Sequence, residues 1–152
     1  MAPAEITAEL YEALRRPNGW QSVRHFYRKL GGLDASDIAE GLLATFQKRS
    51  FTAQEVGCAI LWCMNIPFSR DLHSSLTEFI VNWDVSIEEL PWYLTHSCGA
   101  ENLTSAIDHI RSSSSIDSDT IKKLDTIQWW MSASPEIIRE SRASWLQKLT
   151  NG

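Results

Sequence analysis

The chain reads as an all-α domain on three observations. No segment alternates apolar and polar residues with period two long enough to make a strand, while apolar residues recur at three- and four-residue spacing in nearly every stretch. The run Val56-Gly57-Cys58-Ala59-Ile60-Leu61-Trp62-Cys63-Met64 is apolar on every side, so as a helix it must be surrounded. The gaps between periodic stretches are short and carry helix stop and start signals. The expected architecture is about nine short helices in antiparallel pairs, within a length that suits one domain.

Taken in order, the first helix is expected from about Glu5 to Arg16, with Ile6, Leu10 and Leu14 on one stripe and Pro17-Asn18-Gly19 ending it. The second runs from Gln21 to Leu30 with Val23, Phe26, Tyr27 and Leu30 inward, and Gly31-Gly32 stops it. The third opens at Ser36 or Asp37 and carries Ile38, Leu42, Leu43 and Phe46. Thr52 and Glu55 have capping-box spacing and introduce the all-apolar fourth helix, which ends before Pro67. The fifth is expected from about Arg70 to Trp83. Leu72, Leu76, Phe79, Ile80 and Trp83 face in, and Asp71, Ser75, Glu78 and Asn82 face out.

Ser86 and Glu89 have the same box spacing, and Pro91 belongs in or at the start of the first turn of the sixth helix. Gly99 stops it. The seventh helix spans Ala100 to Arg111 with Leu103, Ile107 and Ile110 inward. The eighth begins at Asp117 or Ser118, with Ile121, Leu124, Ile127 and Met131 on its inner face. Ser134-Pro135-Glu136 opens the ninth, which carries Ile138, Trp145 and Leu149 to about Thr150.

Helix midpoints fall about 15 to 18 residues apart, so a two-helix unit recurs about every 32 to 35 residues. With the helix pairs around Leu42-Leu43-Ala44, Ala59-Ile60-Leu61 and Leu103 to Ile110, the chain from about residue 20 to 150 resembles a short HEAT-like or armadillo-like α-solenoid. Tetratricopeptide and ankyrin signatures are not met. A compact helical bundle accommodates the same pattern. The solenoid resemblance implies a face presented to another macromolecule.

The formal net charge of −5 is concentrated. Residues 1–50 hold seven Lys/Arg against six Asp/Glu, and residues 101–152 hold six against seven. Residues 51–100 hold Arg70 alone against Glu55, Asp71, Glu78, Asp84, Glu88 and Glu89. That pattern opposes binding of a phosphate backbone and suits a basic partner. The N-terminus lacks the basic and apolar regions of a secretory signal, and no apolar run reaches the roughly 20 residues of a membrane span. With an odd number of cysteines, Cys58, Cys63 and Cys98 read as three buried free thiols, and a cytoplasmic location is expected.

Chemical motifs are few. His96 and Cys98, two apart, would point about 200° from each other on a helix, so with Cys58 and Cys63 they make a poor zinc tetrahedron. Cys98 beside His73, His96 or His109 carries no hydrolase flanking sequence. No Glu-x-x-His pair, dinucleotide loop or Walker loop is present. Residues 52–80 imitate a helix-turn-helix, but Asp71 and Glu78 give the second helix the wrong field for DNA. Arg15, Arg16, Arg24, His25, Arg28 and Lys29, with Trp20 and Tyr27, form a basic-aromatic patch that offers a nucleic-acid alternative. Adjacent Trp129 and Trp130 point about 100° apart, so at most one lies fully in the core.

The function expected is therefore non-catalytic. A rigid helical scaffold would present Asp71, Glu78, Asn82, Asp84, Glu88 and Glu89 to a basic protein, with Trp92 as the aromatic anchor and no cofactor or metal. By size and charge this matches the form of a bacterial immunity or antitoxin protein. The alternative from another class is an enzyme or small-ligand binder with a Trp-rich pocket lined by a His or Cys.

Overall fold

Nine α-helices and one 3-10 turn account for the regular structure of residues 1–151, which the computed structural model describes, and no strand occurs among them. They are α1 (Pro3–Arg15), α2 (Trp20–Leu30), α3 (Ala35–Leu43) with the 3-10 turn Ala44–Gln47, α4 (Phe51–Cys63), α5 (Leu72–Phe79), α6 (Glu89–Cys98), α7 (Ala100–Arg111), α8 (Ser118–Met131) and α9 (Pro135–Thr150). Every residue of α4 from Val56 to Cys63 is buried. The helix is enclosed by α1, α3, the 3-10 turn, α6 and α9. In a solenoid each unit touches only its neighbours in sequence. Here α9 returns to pack on both α2 and α4, so the architecture is the compact bundle.

Small residues set the close approaches. A Cβ on Gly57 would stand 3.3 Å from the carbonyl oxygen of Leu42, so α3 and α4 nearly touch backbone to backbone there. A Cβ on Gly41 would stand 2.7 Å from Ile6 Cβ and 2.8 Å from the Pro3 carbonyl oxygen. At that crossing the Thr7 hydroxyl donates to the Gly41 carbonyl at 2.6 Å.

The C-terminus of α4 is closed by Asn65 at φ +54°. Ile66 N–H donates to the Leu61 carbonyl and Asn65 N–H to the Trp62 carbonyl, the paired bonds of a Schellman motif, with Ile66 buried behind them. From α9, the Arg142 guanidinium donates to the carbonyls of Trp62 and Cys63, each at 3.2 Å. A cation thus meets the negative end of the α4 dipole.

The ranges of α7, α8 and α9 agree with the sequence reading, including Asp117 and Ser134 as caps. Five details differ. Helix α4 starts at Phe51 with Ser50 before it, so Thr52 and Glu55 form no capping box. Helix α5 is shorter than expected. It starts after Asp71 and ends at Phe79, because Asn82 is drawn to the 3-10 turn through a 2.9 Å bond to the Phe46 carbonyl. Ser75 is buried rather than outward, since α5 is covered by the 3-10 turn and by α7. Ile121 is exposed, and Cys98 is only half-buried, whereas Cys58 and Cys63 are buried free thiols.

Gly41→Ala is expected to lower unfolding free energy by about 1–3 kcal/mol, since neither Ile6 nor the Pro3 backbone can yield. Gly32→Ala, with open space around it, should stay within about 0.5 kcal/mol of the parent. Urea denaturation of the two variants against the parent measures the contrast.

Candidate functional site

The seven acidic-strip residues do not share one face. Asp71 caps α5, its Oδ2 accepting from Ser74 N–H at 2.9 Å and from Ser74 Oγ at 2.7 Å. Those bonds, with His73 and His109 nearby, hold its carboxyl below the usual range. Glu78 is exposed and borders a different cleft, beside Arg70, Lys48 and Glu40. Asn82 is half-buried and structural: its amide donates to Phe46, and its carbonyl accepts from Gln54 Nε2 at 2.9 Å. Asp84 is exposed and accepts from the Ser86 hydroxyl and N–H, which lower its pKa.

Two members of the strip are corrected outright. Trp92 is 4 % exposed, and its indole N–H donates to the Trp130 carbonyl at 2.9 Å. Glu89 is 3 % exposed. Ser86 turns to Asp84 instead of capping α6, so α6 begins at Glu89 itself. Pro91 then falls in the first turn, where its missing N–H leaves no intrahelical bond unmade.

What the fold gathers instead is a group of three carboxylates. Glu89 and Glu88 come from the start of α6, and half-buried Glu55 from α4. Burial, then the charge of Glu88 and, less, that of Glu55, raise the Glu89 pKa to about 7. The Trp145 indole N–H of α9 donates to Glu89 Oε2 at 3.1 Å, while Oε1 has no partner. Burial and Glu88 also raise Glu55, and Lys148 offsets part of that. The Lys148 ammonium lies 5.0 Å from the Trp145 ring centre and 5.8 Å from that of Trp20. Glu55 was missed in the sequence because its spacing from Thr52 read as a cap. The signal for it was partial: Glu55 is the one charged residue of α4 and stands one turn from Phe51 and one from Cys58.

Exposed apolar side chains lie on a separate cleft, which Arg49 also lines. Phe51 and Val85 are 44 % and 43 % exposed and share a cleft with Asp84, Asp119 and Lys123. The Val85 carbonyl accepts from the Trp130 indole at 2.8 Å. Trp130 belongs to a row of indoles that starts in the core: Trp62 to Trp92 at 5.8 Å, Trp92 to Trp130 at 5.9 Å, Trp130 to Trp129 at 4.6 Å between ring centres. Trp129, 64 % exposed, meets the Trp130 ring edge-on at the surface.

The other sites weighed from sequence look different. His73 and His109 stack at 4.1 Å between α5 and α7 and border an open groove with Cys98. No Trp lines that groove, and burial raises the Cys98 thiol rather than activating it. No group of three His, Cys, Asp or Glu side chains is placed to hold a metal among the described residues. In the N-terminal basic patch, Arg15 and Arg16 face Glu12, Lys29 Nζ is 2.9 Å from Glu9, and Arg24 donates to the Lys148 carbonyl. No protein-family description, curated protein or solved structure matches the chain.

Trp129→Ala should leave the unfolding free energy within about 0.5 kcal/mol of the parent. Trp92→Ala should cost about 3–5 kcal/mol, because it empties the middle of the indole row. Thermal and urea unfolding of both variants distinguish a surface indole from a core one.

Proposed function

We propose that the protein is a non-catalytic binding module that uses its acidic face to hold a basic segment of a partner protein, in the manner of an immunity- or antitoxin-type inhibitor. The face is centred on Glu55 and Glu88, with Asp84 beside them, Phe51 and Val85 as apolar contacts and Trp129 as anchor. One observation carries the reading. Two of three neighbouring carboxylates, Glu55 and Glu89, have pKa values raised by burial and then by the charge of Glu88, and the cation facing them, Lys148, lies over two indoles. A Lys or Arg from outside would relieve that repulsion, and burying the exposed Trp129 indole would add apolar contact. Exposed Trp beside charge is also the composition of interface hot spots.

No helix of the described residues is long and apolar enough to cross a membrane. The free thiols Cys58, Cys63 and Cys98 fit the cytoplasmic location proposed with this reading.

The test is affinity capture from the native host, with parent, Glu55→Lys/Glu88→Lys and Trp129→Ala chains as baits. A basic protein held by the parent should be lost with the double reversal, and its association rate should fall on the order of tenfold or more between low and moderate salt. If the parent and the double reversal retain the same proteins equally, this face is not the binding site.

A further inference from the structure

Glu89 lies where three helices meet. From α4 it faces Glu55 and the Cys58 thiol, whose pKa its charge helps to raise. On its own helix it faces Glu88. From α9 it meets the Trp145 N–H, with Lys148 one turn on. The other inward cation of α9, Arg142, is committed to the end of α4. A neutral carboxyl here leaves one weakly polar oxygen unpartnered, whereas an ionised one leaves a nearly bare charge beside two others.

We propose that this joint is a pH-sensitive clamp: with Glu89 neutral, α9 stays packed over it against α4 and α6, and ionisation of the buried carboxyl, which the single Trp145 bond does not offset, loosens α9 around the acidic face. As regulation of partner binding this rests on the reading above; the loosening itself is a property of the free chain. The folded-state pKa of about 7 stands above the ordinary 4.5. The closed joint therefore binds more protons than the open one between those values. Its stability is complete below about pH 4.5, declines through neutrality and levels off above about 7.

Hydrogen exchange of the free protein, corrected for intrinsic rate, tests this between pH 5.5 and 8.5. If opening restores the ordinary value, the opening constant of α9 should rise roughly 30-fold over that range, while α7 amides stay level. Glu89→Gln, which keeps an acceptor for Trp145, should hold α9 at the low-pH level throughout. Glu88→Gln should move the transition to lower pH. The clamp is refuted by parent α9 exchange that varies less than about threefold, or by a Glu89→Gln profile that follows the parent. Should Glu89→Gln not fold, the parent profile and the Glu88→Gln displacement decide. Neither result depends on a partner, so the clamp and the binding reading fail separately.

Discussion

A helix without a polar side obliges the rest of the chain to surround it. Helix α4 meets that demand with five neighbours, and each contact is limited by side-chain bulk on both sides. Where the neighbour is α3, Gly57 allows near contact with the Leu42 carbonyl. Where it is α6, the Trp62 and Trp92 rings pack against each other with centres 5.8 Å apart. The bundle closes because α9, last in sequence, covers the remaining side of a helix made long before it. A solenoid would leave that side for a later repeat.

Helix α9 is joined at polar points rather than by a broad apolar stripe; only Trp145 and Leu149 are fully buried on it. Arg142 reaches the C-terminus of α4, Trp145 the start of α6, and the Lys148 carbonyl the Arg24 guanidinium of α2. The first of these suits the dipole it meets. At the second, the positive end of α6 favours an ionised Glu89 by about 0.3–1 kcal/mol, up to ~2 in partly buried sites. Burial and the two neighbouring carboxylates act the other way and prevail, since the effective penalty for burying a charge runs to several kcal/mol.

Legibility in the sequence followed how local the cause was. Helices α7, α8 and α9 were readable because caps, periodicity and Gly or Pro stops lie within one stretch, as at Gly99 or Ser134-Pro135. The enclosure of α4 was readable because composition alone demands it. The site was not. Glu89 and Trp92 look like surface residues until α9 and α8 arrive from 56 and 38 positions away to cover them. Asn82 looks like the outer face of α5 until the Phe46 carbonyl claims its amide. The gathering of Glu55 with Glu88 has no local signal, since the pairing of α4 with α6 creates it.

The placement of charge carries the functional argument furthest. Asp71 and Asp84 have their carboxylates engaged by local hydroxyl and N–H donors, and water solvates what remains. Such groups already have donors and gain less from a partner's cation than a carboxylate without them. Glu89 is different: a glutamine would satisfy Trp145 without the crowding, so its acid lowers stability at neutral pH. Folded chains break local rules chiefly where function needs it, and strongly displaced carboxyl pKa values concentrate in the same places. That contrast moves the proposed binding site from an exposed acidic strip to a half-buried acidic group, with exposed Phe51 on the helix of Glu55, exposed Val85 just before Glu88, and Trp129 beside the Trp130 that bonds Val85.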